Sequence, residues 1–470
     1  MTDHDGAGLA RGFSTRAIRA ATRAPRVDQQ PNAVPIYQSA TFSAATAAEL
    51  GAVATGQLPG YAYSRLANPT TTALAAAIAE LEGAEAGFVL ASGMAAIHAA
   101  LLTLLSAGDR IVATRAIYGS TRSLLDRQFG RLGVTIEYVE ITDHAAVEAA
   151  LAERPARVLY LETISNPTIV VADIAALAAI AHRHGTLVVV DHTFASPYLC
   201  RPFELGADLV VHSATKYLSG HSDVLAGAVA GSAELVARVA SVQVDTGATL
   251  APFSAFLVLR GLPTLAIRIE RHSATSLQLA RWLEGQPGIV RVHHPFLPSH
   301  PQHAVARRQF AVGGGMMAFE LAGGRVAGEA FIDALSIPER TASLGSIHTI
   351  VAHPPSTTHR QYDDEQLAAA GIAPGLLRCS VGLEDLEDLV ADFEQALEAA
   401  RLAVARAAAA GSAGPAVGSH DPAAGLPARR PAVPPSAPPR ARRSGTRRAR
   451  DHRSCRPLGS GSPSRRPGRA

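Results

Sequence analysis

The stretch Leu209-Val210-Val211-His212-Ser213-Ala214-Thr215-Lys216-Tyr217-Leu218-Ser219-Gly220-His221 decides how the rest of the chain is read. It opens as a short apolar run of the kind that forms a buried strand, then breaks into hydroxyls and a lysine. Lys216 is the only lysine in the chain, although Lys and Arg together number 43. Arginine can replace lysine wherever a positive charge suffices. It cannot lose its proton and attack a carbonyl, because its pKa lies above ~12. A lone lysine is what Schiff-base chemistry would leave behind. Chance survival on the surface is the bland alternative, and the apolar run before Lys216 is not surface-like. The hydroxyls of Ser213 and Thr215 suit a phosphate held beside that amine.

Outward from this segment the same pattern repeats. Apolar runs stand at Gly87–Leu90, Arg110–Thr114, Thr135–Val139, Val158–Leu161, Leu187–Val190, Leu209–Val211 and Ala226–Ala230. Helix-like segments separate most of them: Ala95–Leu105, Ser120–Leu132, Ala145–Glu153 and Ile174–His184. This alternation predicts an α/β fold whose mostly parallel sheet is covered on both faces. Ligands of such sheets bind beyond the carboxyl ends of the strands. There the sequence holds Ser92-Gly93-Met94, Tyr118, Asp191 and Lys216. A small-residue turn opening a helix suits an anion, and a tyrosine ring can stack on a heterocycle. A carboxylate behind a buried strand needs a cationic partner. An amine can hold a carbonyl. Each has a structural alternative taken singly, such as packing, an N-cap or a buried ion pair. Together on one rim they are what pyridoxal phosphate requires.

The motifs Tyr61–Thr70, Ser92–Ala96, Glu162-Thr163 with Asn166-Pro167, Asp191-His192-Thr193, Val211–Gly220 and Gly375–Asp388 occur in order. Through them the chain resembles the pyridoxal-phosphate enzymes of cysteine and methionine metabolism, from about Phe13 to about Ala400. The resemblance implies an aspartate-aminotransferase-like (type I) fold, with a mostly parallel seven-stranded sheet and a smaller C-terminal α+β domain. It implies that Lys216 binds pyridoxal 5′-phosphate, that Asp191 keeps the pyridine nitrogen protonated, and that Tyr118 stacks on the ring and takes part in proton transfer. Gly93, Met94, Ser213 and Thr215 match phosphate contacts. Tyr63 and Arg65 match a pair that reaches the phosphate of a neighbouring subunit. Arg378 matches the clamp on the substrate carboxylate, with Asn166 and Thr349 beside it and His348 at a substrate-tuning position. Elimination or replacement at the γ-carbon of a homoserine-derived or thioether amino acid follows, with a cystathionine or methionine γ-lyase-like activity as the first expectation. Cystathionine γ-synthase or O-acylhomoserine sulfhydrylase activity is the alternative. Ser120 stands where methionine γ-lyases carry cysteine, and Gln243-Val244 where they carry Lys-Asp, so the match to that branch is incomplete. A binding or regulatory protein on the same fold is a third reading, disfavoured by retention of every cofactor position.

Composition bounds the rest. The expected divisions are an arm at 1–64, a cofactor-binding domain at 65–265, a small domain at 266–408 and a disordered tail at 409–470. Residues 411–470 hold 13 Arg against Asp421 and Asp451, a charge of +11, which leaves −8 on the other 410 residues. The basic pI therefore belongs to the tail. Its cluster from Arg440 to Arg450 would bind polyanions only non-specifically and has no aromatics for base stacking. No specific nucleic-acid partner is expected. Phe88–Gly108 is uncharged and long enough to span a bilayer, but Ser92, Gly93 and His98 divide it into strand, turn and helix, so no membrane partner is expected. Cys200, Cys379 and Cys455 at unrelated spacings, and no apolar leader after Asp3-His4-Asp5, point to the cytoplasm. The histidines, among them His293-His294, His300, His303, His353 and His359, form no metal-ligand spacing and read as loop or surface residues. Partners are then a small amino acid and further copies of the chain, in a dimer with shared sites and a dimer of dimers.

Overall fold

A computed structural model describes residues 12–22, 31–357, 365, 367 and 371–412. His359, Cys455 and the Arg-rich tail beyond 412 lie outside them. The expected extended arm contains two helices, α1 (Phe13–Thr22) and α2 (Ala47–Ala54). Among the described side chains of α1 the buried ones are the small Ala17 and Ala20, and Phe13 meets Tyr198 edge-on at 4.9 Å. A helix that docks through alanines leaves no periodic stripe of large apolar residues for a sequence reading to find. In α2 none of the residues is buried, and it is held at its start by Thr46, whose hydroxyl accepts the Glu49 N–H.

The main sheet is made of β1 (Ala86–Leu90), β2 (Arg110–Thr114), β3 (Thr135–Val139), β4 (Val158–Glu162), β5 (Leu187–Asp191), β6 (Leu209–Ser213) and β7 (Gly227–Gly231). Their order is β1-β7-β6-β5-β4-β2-β3, and only β7 runs antiparallel to its neighbours. The seven apolar runs are these seven strands. β2 and β4 are buried at every position, as a sheet covered on both faces requires. The cover comes from α3 (Pro69–Glu82), α4 (Gly93–Leu104), α5 (Gly119–Leu124), α6 (His144–Glu153), α7 (Ile174–Arg183) and α8 (Ala233–Thr246). Local chemistry sets their starts: Asn68, Ser92, Asp143, Asp173 and Ser232 each accept a backbone N–H from the first turn that follows. The uncharged run Phe88–Gly108 resolves into β1, a turn and α4.

A second helical stretch, α9 (Pro252–Gly261) running through a short 3-10 turn into α10 (Leu265–Glu284), is long and apolar enough to cross a membrane by length and composition. Here it is a core element. Leu265, Ile269, Leu279 and Leu283 are fully buried, and the buried Arg268 donates to the carbonyls of Tyr217 (2.8 Å) and Gly261 (3.0 Å). After α10 come β8 (Ile289–His293), α11 (His303–Gln309), β9 (Met316–Leu321), α12 (Gly324–Ala334), β10 (Glu339–Arg340), β11 (Ile350–Ala352), β12 (Leu376–Ser380) and α13 (Leu386–Ser412). The five strands order as β10-β11-β12-β9-β8. Phe331 packs against Phe319 and Phe393, both at 5.4 Å between ring centres, and joins α12, α13 and β9 into one core. His294, His300 and His353 are buried rather than surface residues. Each has found polar partners, such as Ser276 Oγ at 3.1 Å, the Ile169 carbonyl at 3.0 Å and the Pro374 carbonyl at 2.9 Å.

Candidate active site

Six of the seven main strands run the same way, so their carboxyl ends share a rim. β5 ends in Asp191 and β4 in Glu162, directly paired across the ladder. β6 ends in Ser213, with Lys216 three residues on. Tyr118 follows β2, and α4 begins three residues beyond the end of β1. Over this rim lies an open cleft with about 870 Å³ of empty space, its mouth included. Its walls include Gly93, Met94, Tyr118, Asn166, Asp191, Ser213, Thr215, Lys216 and Arg378. The small sheet supplies Arg378 from the middle of β12, where it pairs with Ala318 and Ala352.

Close approach of α4 to β6 depends on glycine. A Cβ on Gly93 would meet the Cβ and Cα of Ser213 at 2.6 and 2.8 Å, and a Cβ on Gly227 would meet the Ser92 carbonyl at 2.0 Å. This brings the α4 N-terminus, capped by Ser92 Oγ on the Ala95 N–H (3.1 Å), against the Ser213–Lys216 turn. The result is an anion cradle: unpaired helix N–H groups beside hydroxyls. Thr215 Oγ1 also accepts the Ala226 N–H at 3.0 Å, which fixes the turn.

Lys216 Nζ donates to Ser343 Oγ at 2.9 Å. Burial, and then the nearby Arg378 charge, bring its pKa down to about 8. Arg378 is itself buried; Nη1 donates to Asn166 Oδ1 (3.1 Å), Nη2 to the Ser343 carbonyl (2.8 Å), and Nε is buried with no partner. Burial pulls its pKa down to about 10. Asp191 accepts the Thr193 N–H at 3.0 Å and the Tyr160 hydroxyl at 3.3 Å, and no ion pair reaches it among the described residues. Burial pushes its carboxyl up, and those hydrogen bonds work against the rise.

Not every expected residue reaches the cleft. Thr349 is fully buried, its N–H and hydroxyl both bonded to Glu384 at 2.7 Å. His348 is exposed beside it and does not line the cleft. Tyr63 and Arg65 also lie off their own chain's cleft. The Arg65 guanidinium sits 5.4 Å from the Tyr63 ring centre and donates to the Val244 carbonyl at 2.7 Å. Residues not foreseen also stand at the site, among them Ser343, which bonds Lys216, and Glu162, which lines the cleft. Ser343 sits 127 positions from Lys216, in a loop with no local signal. Glu162 carried a signal, since it ends an apolar run just as Asp191 does.

The residues fit pyridoxal 5′-phosphate. A buried carboxylate lacking a cation, an amine of lowered pKa and an anion cradle share one cleft. A pyridoxal-phosphate enzyme of type I fold is the class this arrangement defines. The family profile described as Cys/Met metabolism PLP-dependent enzyme matches residues 14–398, and the chain belongs to that family. It is 47% identical over 390 residues to an L-methionine γ-lyase of Pseudomonas putida, covering 83% of this chain and 98% of the relative. It is 44% identical to an O-succinylhomoserine sulfhydrylase of Pseudomonas aeruginosa, covering 82% and 95%. The crystal structure of a cystathionine γ-synthase from Xanthomonas oryzae pv. oryzae, in complex with cystathionine, superposes with a TM-score of 0.79 at 38% identity, covering 84% of this chain and all of that one.

Proposed function

We propose that the protein eliminates the γ-substituent of a sulfur-containing amino acid, as a methionine or cystathionine γ-lyase does. Bound pyridoxal phosphate supplies an electron sink for negative charge formed at the substrate's α-carbon. The chain's own residues do the rest. Lys216 would hold the cofactor, and its amine, when free, would take the Cα proton and then the Cβ proton whose loss accompanies departure of the γ-substituent; a pKa near 8 leaves part of that amine neutral at physiological pH. Asp191 keeps the ring nitrogen protonated, and Gly93, Met94, Ser213 and Thr215 hold the phosphate. Tyr118 stacks on the ring and delivers a proton to the departing sulfur. Arg378, with Asn166 beside it, grips the substrate carboxylate. Thr349 and His348 have no direct part in this reading: Thr349 is bonded to Glu384 and Gly382 outside the cleft lining, and His348 stands exposed beside it.

The observation that carries this reading is the convergence of the sole lysine, the uncompensated Asp191 and the buried Arg378 on one cleft. Met94, Ile97, Ile164 and Leu344 give that cleft apolar walls suited to a thioether. A second reading, replacement at the γ-carbon, is favoured by Ser120 and by Gln243-Val244, which depart from the methionine γ-lyase pattern. Assay of the purified protein on L-methionine, L-cystathionine, L-homocysteine and O-acylhomoserine, with and without sulfide or cysteine, separates the two. α-Ketobutyrate without an added thiol supports elimination; a thioether or homocysteine product formed only with one supports replacement.

The proposal extends to assembly. Tyr63 and Arg65 serve the phosphate of a second copy, in a dimer with shared sites that pairs into a tetramer. The enzyme works in the cytoplasm, without a specific nucleic-acid or membrane partner. We assign the arm to 1–64, the cofactor-binding domain to 65–265 and the small domain to 266 onward, with its end moved from the expected 408 to Ser412, because α13 continues to that residue.

A further inference from the structure

We propose that Glu162 is the positioning residue that ties the Tyr118 loop to the substrate-carboxylate clamp. Its Oε1 accepts the Tyr118 N–H at 2.6 Å and its Oε2 accepts the Asn166 N–H at 3.1 Å. Asn166 in turn accepts from Arg378 Nη1 at 3.1 Å. A continuous chain of hydrogen bonds thus runs from the residue that faces the cofactor ring to the residue that faces the substrate carboxylate. The assignment rests on the roles proposed above for Tyr118 and Arg378.

A carboxyl group of this length suits the task. Both of its partners are N–H donors, so both oxygens must accept. A glutamine would turn an NH2 group toward one of them. An aspartate, one methylene shorter, would not span both. The placement also carries an electrostatic penalty. Glu162 is buried and stands across the ladder from Asp191, and both facts push its carboxyl well above the usual carboxylate range, while the Tyr118 and Asn166 N–H bonds pull against that rise. A residue that only filled space would not need a second buried carboxylate beside Asp191.

The test uses the cofactor-loaded Glu162→Gln and Glu162→Asp variants. Two quantities are read besides turnover: the visible circular dichroism of the bound cofactor, and the apparent Kd for L-methionine and L-cystathionine from the absorbance change each causes. Loss of the hydrogen bond to one of the two loops predicts an apparent Kd about tenfold to a hundredfold weaker. It also predicts an altered dichroic band, with cofactor stoichiometry and Tm near wild type. Folded, fully loaded variants with wild-type dichroism and wild-type Kd would overturn the assignment. If the variants do not fold, hydrogen exchange on the wild-type holoenzyme decides: slow exchange at the Tyr118 and Asn166 amides supports it, and exchange as fast as in an open loop overturns it. A wild type that responds to no amino acid would sink the proposed reaction, while the dichroism would still decide Glu162.

Discussion

Arg378 stands close enough to Lys216 to add to what burial already does to its amine. The neutral form of the amine is the one that attacks a carbonyl, and a pKa of about 8 makes it half neutral there. Recombination of apoprotein with pyridoxal 5′-phosphate should therefore speed up as pH rises through about 8 and level off above it, followed by growth of the visible band. Arg378→Ala removes a like charge, so the midpoint should move up, although not to the unperturbed lysine value, because burial is the larger cause. Lys216→Ala and Lys216→Arg should both lose the borohydride-bleachable band and at least about 10³-fold in turnover. An active arginine variant would remove the covalent role, since guanidinium stays protonated. At the other end of the ring, Asp191→Asn should still take up cofactor yet lose about 10²-fold or more in kcat, and Asp191→Glu should do less harm. Normal turnover by Asp191→Asn would make that carboxylate merely structural.

At the scale of elements, the cradle exists because α4 starts against β6. Gly93→Ala would place a methyl carbon within 2.6 Å of Ser213 Cβ and 2.8 Å of its Cα, and backbone cannot give way as a long side chain does. The helix start and the turn should separate, costing about 1–3 kcal/mol of stability. Cofactor affinity should fall with it, measurable by thermal unfolding and by equilibrium dialysis. A Gly93→Ala protein with unchanged Tm and affinity would show that the contact relaxes freely. The elements also mark where sequence reading stops. All seven strands of the main sheet were legible because runs of Val, Ile, Leu and Ala between helices leave little other choice. Helix α1 was not, because its docking face is two alanines. Strands β8, β10 and β11 were not, because short strands owe their existence to partners far along the chain.

For the whole molecule, the placement of Tyr63 and Arg65 away from their own cleft is the feature that calls for a second copy. Mixing Arg65→Ala with Lys216→Ala under conditions that exchange subunits should restore activity toward about one quarter of wild type. Random pairing makes half the dimers mixed, and each mixed dimer has one intact site. Neither parent should approach that level alone. If exchange is verified and activity stays absent, the arm serves its own subunit. Removal of residues 413–470 should leave the visible spectrum, kcat and KM nearly unchanged, because the cleft and both sheets are complete before them and their Pro/Arg-rich composition adds no core. A marked loss of cofactor or turnover on truncation would give the tail a role.

The sequence by itself determined the family and which segments make the main sheet, though not their order across it. One lysine among 43 basic residues, small residues at strand ends and a carboxylate behind a buried strand are local facts, and local facts can be read in line. What only the tertiary structure decided is which of the matched residues meet. Arg378 comes to the cleft from the second sheet, and Ser343 comes to Lys216 from 127 residues further along the chain. Thr349 and His348, equally well matched in sequence, stay behind the wall. Glu162 gains its role only because two loops, each sequentially remote from Arg378, turn their N–H groups to the same carboxylate. Such meetings depend on how the two sheets pack, and packing is set by the summed fit of many side chains rather than by any one stretch of chain.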